Sequence, residues 1–174
     1  AGEWTVWPAP AKLNLFLQIT FRRAGAHRDL HTVFRLLYSG HSGFLRPRAD
    51  AVVARVGAGA AGVSEADDLL VRAAKLLQNE SKCRQGVDIG IEKRVPMGGG
   101  FGGGSSDAAT VLVALDRLWG LGFGSDRLAA IGLGLGADVP GFVFGESAFA
   151  EGVGEQVQPV ALPPARYVVL VPPV

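Results

Sequence analysis

Six of the seven residues from Gly98 to Gly104 are glycine, and the segment 96–109 reads PMGGGFGGGSSDAA. Ordering a glycine costs more backbone entropy than ordering any other residue, so a run this dense needs a compensating role in a folded chain. Successive backbone N–H groups that carry no Cβ atoms between them bind anions well, above all where a helix begins. The run therefore predicts a phosphate-binding loop, with a flexible surface loop as the plain alternative.

The elements on either side of the run favour the first interpretation. Before it, residues 87–91 alternate between apolar and polar side chains, which is typical of a β-strand, and Pro96 ends the pattern. After it, apolar residues recur at helical spacing from Ala108 to Trp119. This order places a helix amino terminus beside the loop. Ser105 and Ser106 add hydroxyl groups for helix capping, for phosphate oxygens or for a Mg²⁺ ion.

The glycine spacing is compatible with more than one class of nucleotide site. Gly98, Gly100 and Gly103 satisfy the G-x-G-x-x-G pattern of dinucleotide-binding proteins. That pattern expects an acidic residue at the end of the following strand, whereas Asp126 stands at a predicted helix start. The hypothesis of a nicotinamide-dependent oxidoreductase is therefore supported by the glycine spacing alone. A Walker A loop does not fit, because the chain has no Gly-Lys-Ser or Gly-Lys-Thr triplet.

Periodicity along the rest of the chain predicts an α+β fold in which helices cover a mixed or antiparallel sheet. We expect strands over 4–7, 11–20, 87–92, 141–144, 148–150 and 167–171, a hairpin over 44–56, loops over 22–31 and 57–62, and helices that begin near Ser64, after the glycine run and at Ser125. Residues 32–38 fit a strand or a short helix. In the segment 11–20 the leucines alternate with Lys12 and Asn14, so we expect the leucines inside and Lys12 towards a polar cleft.

Composition narrows the class of protein. The chain has 174 residues, 48% of them hydrophobic, which suits one domain with a core of its own. A formal charge of +1 argues against a strongly basic nucleic-acid-binding protein. Cys83 is the one cysteine, so no internal disulfide forms, and the sequence has no apolar run long enough for a membrane helix. We expect a cytoplasmic protein that has neither a membrane nor a nucleic acid as partner.

Three segments, in this order, resemble the GHMP small-molecule kinases: PAPAKLNLFL over Pro8–Leu17, the glycine run, and LGADVPGF over Leu135–Phe142. Within the family they resemble the amino-terminal domain of those members that act on 4-diphosphocytidyl-2-C-methyl-D-erythritol. The resemblance implies ATP-dependent phosphorylation of the 2-hydroxyl of that substrate, a step of non-mevalonate isoprenoid precursor synthesis, with ATP and Mg²⁺ as cofactors. Another GHMP-type kinase and a non-catalytic nucleotide- or RNA-binding module stay open as alternatives.

The resemblance also assigns roles to residues. It implies that Asp138 is the catalytic base, that Lys12 assists it, and that Asn14 and His27 bind the substrate. The implied ATP-binding residues are Asp68, Leu69, Pro96, Gly98, Gly99, Gly100, Gly102, Gly103, Gly104, Ser105 and Ser106, with Ser105 or Ser106 as candidate Mg²⁺ ligands. Taken singly, Asp138 is more typical of a turn and Lys12 of a solvated surface. Asp107, in the predicted first turn of the second helix, is a rival base whose simpler role is to stabilise that helix end.

Two features depart from the family pattern. Ala26 precedes His27 where the family usually has a tyrosine, and the loss of an aromatic group would remove about 1–3 kcal/mol of base stacking. Family members also have a carboxy-terminal domain that completes the substrate cleft. We expect residues 1–174 to be the amino-terminal, ATP-binding domain without that second domain. A homodimer is left open.

Overall fold

The computed structural model describes residues 2–22, 28–57, 62–152 and 156–168. These residues form six strands and four helices. The strands are β1 (Thr5–Arg22), β2 (Arg28–Arg48), β3 (Val53–Arg55), β4 (Gly86–Glu92), β5 (Ala148–Glu151) and β6 (Gln156–Pro159). The helices are α1 (Leu69–Ser81), α2 (Gly103–Leu118), α3 (Gly124–Leu133) and α4 (Val139–Phe144).

The long strand β2 is the centre of the sheet, because it pairs with β1, β4 and β5. One edge of β2 pairs with β1. Its other edge pairs with β5 near the start of the strand, where Thr32 lies opposite Ala150, and with β4 near the end, where Ser42 lies opposite Glu92. Because β3 pairs with β4 in the parallel sense and the other pairs are antiparallel, the sheet is mixed, as the sequence predicted.

Helices pack against the sheet around one principal core. Leu45 of β2 and Ile89 of β4 contribute fully buried side chains from the sheet, and Leu70, Leu112 and Leu115 contribute them from α1 and α2. The alternation in β4 and the helical spacing in α2 place these residues on the faces that meet, so the predicted α+β class is confirmed. No helix in the described ranges combines the length and the apolar character that crossing a membrane requires.

The predicted hairpin over 44–56 is wrong. β2 continues through Pro47 to Arg48 and pairs there with β4. The chain then crosses over, so that β3 lies parallel to β4, with Val87 N donating to Val52 O at 2.9 Å and Val56 N donating to Ile89 O at 2.7 Å. Pattern alone indicates two strands joined by a short turn, but not which strand the second one pairs with.

The predicted strand over 141–144 is also wrong, because these residues belong to α4. Five of the six residues of α4 are buried, so the helix has no polar face that would reveal a helical period. Pro140 suits its first turn, and Gly145 ends it with a φ of 73°. The ambiguous residues 32–38 are strand, and the loop predicted over 22–31 is strand at Arg22 and from Arg28 onward.

Three other boundaries are settled by local contacts. Helix α1 begins at Leu69 and is capped by Asp68, whose carboxylate accepts from Leu70 N at 3.0 Å, whereas Ser64 bonds with Asp67 one turn earlier. Helices α2 and α3 lie where they were predicted, although α2 starts inside the glycine run. Of the predicted strand 167–171, Tyr167 and Val168 have no regular structure, and the rest lies outside the described residues, as does most of the loop predicted over 57–62.

The prediction that the leucines of β1 lie inside is wrong for Leu15 and Leu17. Lys12 is buried, whereas Leu15, Leu17 and Ile19 are 43–50% exposed. Phe16, between Leu15 and Leu17, is 44% exposed as well, so in the described structure the core covers neither face of this part of β1.

Asp88 is a buried carboxylate held by two arginines of β2. Its Oδ2 accepts from Arg46 Nη2 at 2.7 Å, and its Oδ1 accepts from Arg48 Nη1 at 2.8 Å. Burial by itself would raise the pKa of Asp88, but the hydrogen bonds from Arg46 and Arg48 outweigh burial, so the pKa lies below its ordinary value of 3.8. Above the unfolded-state pKa this ion pair stabilises the fold, and the stabilisation is lost as the pH falls through the lower native pKa.

We therefore expect the free energy of unfolding to decrease below about pH 4, and to decrease less steeply in Asp88→Asn. We also expect that variant to be about 2 kcal/mol less stable at pH 7, because it loses hydrogen bonds to a charged group. Urea unfolding at pH 7 and pH 3 measures both effects. Asp50→Asn is the matched control. A hydrogen bond from Arg48 lowers the pKa of Asp50 to about 2, but Asp50 is exposed and solvent screens its ion pair. We therefore expect Asp50→Asn to lose less stability than Asp88→Asn. Equal pH slopes in wild type and Asp88→Asn would contradict this account.

Candidate active site

A cleft of about 690 Å³ lies where the glycine-rich loop meets β1 and the starts of α1 and α4. It brings together the three segments that the sequence singled out, although they are far apart along the chain. The predicted site residues that line it are Lys12, Asn14, Asp68, Leu69, Pro96, Gly98, Gly100, Gly102, Gly103, Gly104, Ser105 and Asp138. Gly99 and Ser106 do not line it, and His27 lies outside the described residues.

The loop has a backbone that requires glycine. Gly98, Gly100 and Gly102 have φ values of 76°, 77° and 68°, in the left-handed region that other residues enter at a cost. At Gly102, a Cβ atom would also lie 2.8 Å from the Phe142 ring and 3.1 Å from Lys12 Cε. The hydrogen bond from Lys12 N to Phe101 O, 3.0 Å long, joins the loop to β1. The glycines therefore allow a close approach of loop, lysine and α4.

Helix α2 directs free donors into the cleft. Its first intrahelical bond runs from Ser106 N to Gly102 O at 2.8 Å, so the N–H groups of Gly103, Gly104 and Ser105 have no intrahelical acceptor. All three residues line the cleft. A helix amino terminus with free N–H groups is an anion-binding site, and phosphate oxygens fit it.

The two serines differ in position. Ser105 lines the cleft, whereas Ser106 is fully buried and its Oγ has no hydrogen-bond partner among the described residues. The sequence offered both hydroxyls as ligands, but of the two residues only Ser105 borders the cleft.

Lys12 and Asp138 meet at the edge of the cleft. Lys12 Nζ lies 3.2 Å from Asp138 Oδ2 and donates to Asn14 Oδ1 at 3.0 Å. The Lys12 side chain is 8% exposed and the Asp138 side chain 47% exposed, so a buried ammonium orients a carboxylate that a substrate can reach. Thr32 Oγ1 lies 3.4 Å from Asn14 Oδ1 and donates to Phe16 O at 2.7 Å.

Close packing of α4 fixes the position of Asp138, which directly precedes that helix. A Cβ atom on Gly141 would lie 2.6 Å from the Phe34 ring of β2, and one on Gly132 would lie 2.5 Å from Val139. These two glycines let α4 contact both the sheet and α3 without an intervening side chain, which leaves Asp138 little freedom to move away from Lys12.

Asp68 has a structural role as well as a place in the cleft. Besides capping α1, it pairs through Oδ2 with Arg55 Nη1 at 2.9 Å. Next to it, Leu69 lies against the start of α2, because a Cβ atom on Gly104 would be 3.2 Å from Leu69 Cδ1. Leu69 thus contributes apolar surface to the cleft.

His41, Asp107 and Lys93 form a buried ionic cluster under the loop that the sequence did not predict. Asp107 is 1% exposed; its Oδ1 lies 2.8 Å from His41 Nδ1, and its Oδ2 is bound by Lys93 Nζ. Asp107 lies beyond the first turn of α2, so the predicted role as a helix-end stabiliser is wrong. One signal was present: Lys93 follows Val87, Ile89 and Ile91 at the strand spacing of two residues. Likewise, His41 shares this spacing with Gly43 and Leu45 in β2, and all three are buried.

Comparisons with known proteins show what this chain is similar to. A family model described as the GHMP kinases N terminal domain matches residues 68–146. The 4-diphosphocytidyl-2-C-methyl-D-erythritol kinase of Xanthomonas axonopodis pv. citri is 59% identical over 170 residues, which cover 98% of this chain and 58% of that protein. The chain thus spans less than two thirds of the length of this relative.

Solved structures show the same fold. A crystal structure of 4-(cytidine 5'-diphospho)-2C-methyl-D-erythritol kinase superimposes with a TM-score of 0.73 at 38% identity, over 92% of this chain and 56% of that one. Galactokinase of Lactococcus lactis, in complex with galactose, gives a TM-score of 0.63 at 16% identity over 92% and 48% of the two chains. At that identity the likeness extends to the fold alone.

Proposed function

We propose that the chain is the ATP-binding, amino-terminal domain of a small-molecule kinase of the GHMP type. The match of residues 68–146 to the model described as the GHMP kinases N terminal domain supports this proposal. The proposed reaction transfers the γ-phosphoryl group of ATP to the 2-hydroxyl of 4-diphosphocytidyl-2-C-methyl-D-erythritol. The observation that carries the proposal is the contact of Lys12 with Asp138 in the same cleft as the free N–H groups of α2. The names of the similar kinases support the choice of acceptor.

In the proposed reaction, Asp138 accepts the proton of the acceptor hydroxyl. A new bond forms between that oxygen and the γ-phosphorus, the bond to the β,γ-bridging oxygen breaks, and ADP leaves with the electron pair. Lys12 orients Asp138 and places a positive charge where negative charge develops. Positioning and charge neutralisation supply most of the rate of phosphoryl transfer, so this cleft needs no covalent intermediate.

The loop and the start of α2 are the proposed phosphate-binding elements. The N–H groups of Gly103, Gly104 and Ser105 are the proposed donors to phosphate oxygens, and Leu69 is the proposed apolar contact of the adenine. Asn14, beside Lys12, is the proposed contact of the acceptor. His27 keeps its predicted role in substrate binding, and a cytoplasmic location stays a prediction.

Mg²⁺ fits the cleft as an ion shared with the substrate. The described residues contain no group of three or more His, Cys, Asp or Glu side chains that could hold a metal ion. Mg²⁺ in phosphoryl-transfer enzymes is commonly held by one or two protein oxygens together with substrate phosphates, and bound there it neutralises phosphate charge. Ser105, which borders the cleft, is the proposed protein ligand, in preference to the enclosed Ser106.

The test combines binding and turnover. Calorimetry with a non-hydrolysable ATP analogue and Mg²⁺ should show one site, and ATP should be converted to ADP with the cytidine-linked acceptor but not with galactose or mevalonate. Nucleotide binding without phosphorylation of any acceptor would contradict the assigned chemistry while leaving the ATP-binding domain intact. RNA binding without nucleotide binding would instead support the non-catalytic module.

A further inference from the structure

His41 lies beneath the loop and, like Asp107 and Lys93, borders the cleft, although its side chain is only 3% exposed. Its ring is buried, with Nδ1 2.8 Å from Asp107 Oδ1 and Nε2 3.4 Å from Val95 O. A Cβ atom on Gly103 would lie 2.8 Å from His41 Cε1, so the ring also lies against the first residue of α2. One side chain of β2 therefore contacts α2 and the segment that follows β4.

The carboxylate of Asp107 divides its two oxygens between different partners. Oδ1 accepts from the His41 ring, and Oδ2 is bound by Lys93. Asp107 is 1% exposed, so each oxygen depends on these protein partners in place of water. With both oxygens bound, the carboxylate has one orientation, and that orientation determines where the Lys93 ammonium lies.

All three residues of the cluster border the cleft, and Lys93 is the one whose side chain is substantially exposed to it. Its side chain is 27% exposed and lines the cleft, together with the glycine-rich loop. If Asp107 could rotate, the ammonium would follow it or would lose its partner to solvent. We propose that His41 is a positioning residue for nucleotide binding: it orients Asp107, which holds Lys93 at the cleft. This inference rests on the proposed nucleotide site.

The test compares two amide replacements of similar polarity. In His41→Asn the amide nitrogen takes the place of Nδ1 and can still donate to Asp107, whereas in His41→Gln it takes the place of Nε2 and cannot. We expect His41→Asn to bind the non-hydrolysable ATP analogue within about threefold of wild type, and His41→Gln to bind it about tenfold or more weakly, because a hydrogen bond to a buried charge is lost. Urea unfolding identifies any loss of affinity that reflects global instability alone.

A double-mutant cycle shows whether His41 acts through Lys93. Lys93→Met should weaken analogue binding, and adding His41→Gln to it should weaken binding no further. Additive losses, or equal affinity of the Asn and Gln variants, would overturn the inference while wild-type binding still supports the nucleotide site. No analogue binding by the wild type would remove the proposed function and this inference with it.

Discussion

Replacing Asp138 with asparagine is expected to lower kcat for phosphorylation of the cytidine-linked acceptor by about 10²–10⁴-fold, the range that general acid–base catalysis contributes. Asparagine keeps the size of the side chain and an oxygen that Lys12 Nζ can approach, now at 3.2 Å, but its amide cannot take up the acceptor proton. Binding of the ATP analogue should stay within about threefold of wild type, because the proposed phosphate donors belong to α2 and not to Asp138.

Asp126→Asn is the matched control for this variant. Asp126 is exposed in the first turn of α3 and does not line the cleft, so the same chemical change there should leave kcat unaltered. Steady-state assays with both substrates, together with calorimetry on each variant, separate chemistry from binding. Turnover by Asp138→Asn within tenfold of wild type would remove Asp138 as the base.

Substitution of Gly102 by alanine should weaken nucleotide binding about a hundredfold, because it displaces the parts of the site from one another. The new Cβ would meet the Phe142 ring at 2.8 Å and Lys12 Cε at 3.1 Å, so α4, the loop or Lys12 must shift. The left-handed backbone at this residue, with a φ of 68°, adds about 1–2 kcal/mol of strain for alanine. We expect both the affinity for the ATP analogue and the free energy of unfolding to fall.

Gly122→Ala isolates the steric part of this effect. Gly122 has almost the same φ, 67°, but a Cβ atom there meets nothing within 4 Å. It should therefore lose a similar 1–2 kcal/mol of stability, about the cost of the left-handed conformation, and keep wild-type nucleotide affinity. Comparable affinities for the Gly102 and Gly122 variants would show that close packing at Gly102 does not shape the site.

Local patterns predicted the elements that are long and periodic. The helices α1 and α2 and the strand β4 have apolar residues at clear helical or strand spacing, and all three are present. The pattern failed for α4, which is too short and too buried to show a period. It also failed for the leucines of β1, because residues 14–19 are exposed on both faces, and alternation along a strand does not show whether either face is covered.

The sequence likewise predicted some features of the candidate site and missed others. The glycine run predicted a phosphate-binding loop, because ordering so many glycines costs backbone entropy that a function must justify. The resemblance to the kinase family added Lys12 and Asp138 as predicted catalytic residues. Neither indicated that Ser106 is enclosed while Ser105 borders the cleft, or that a buried ionic cluster lies beneath the loop. The burial of a side chain and its hydrogen-bond partners are fixed only when distant segments pack together, so the local sequence does not encode them.

By itself, the sequence determined where the backbone lacks side chains and which long, periodic segments are helix or strand, because conformational cost and periodicity are local properties of the chain. Only the tertiary structure decided that Lys12 and Asp138 lie 3.2 Å apart and that His41 and Lys93 share the carboxylate of Asp107. These contacts join residues from different strands and helices. Their distances depend on how closely α4 and the loop pack against the sheet, which is a property of the assembled core.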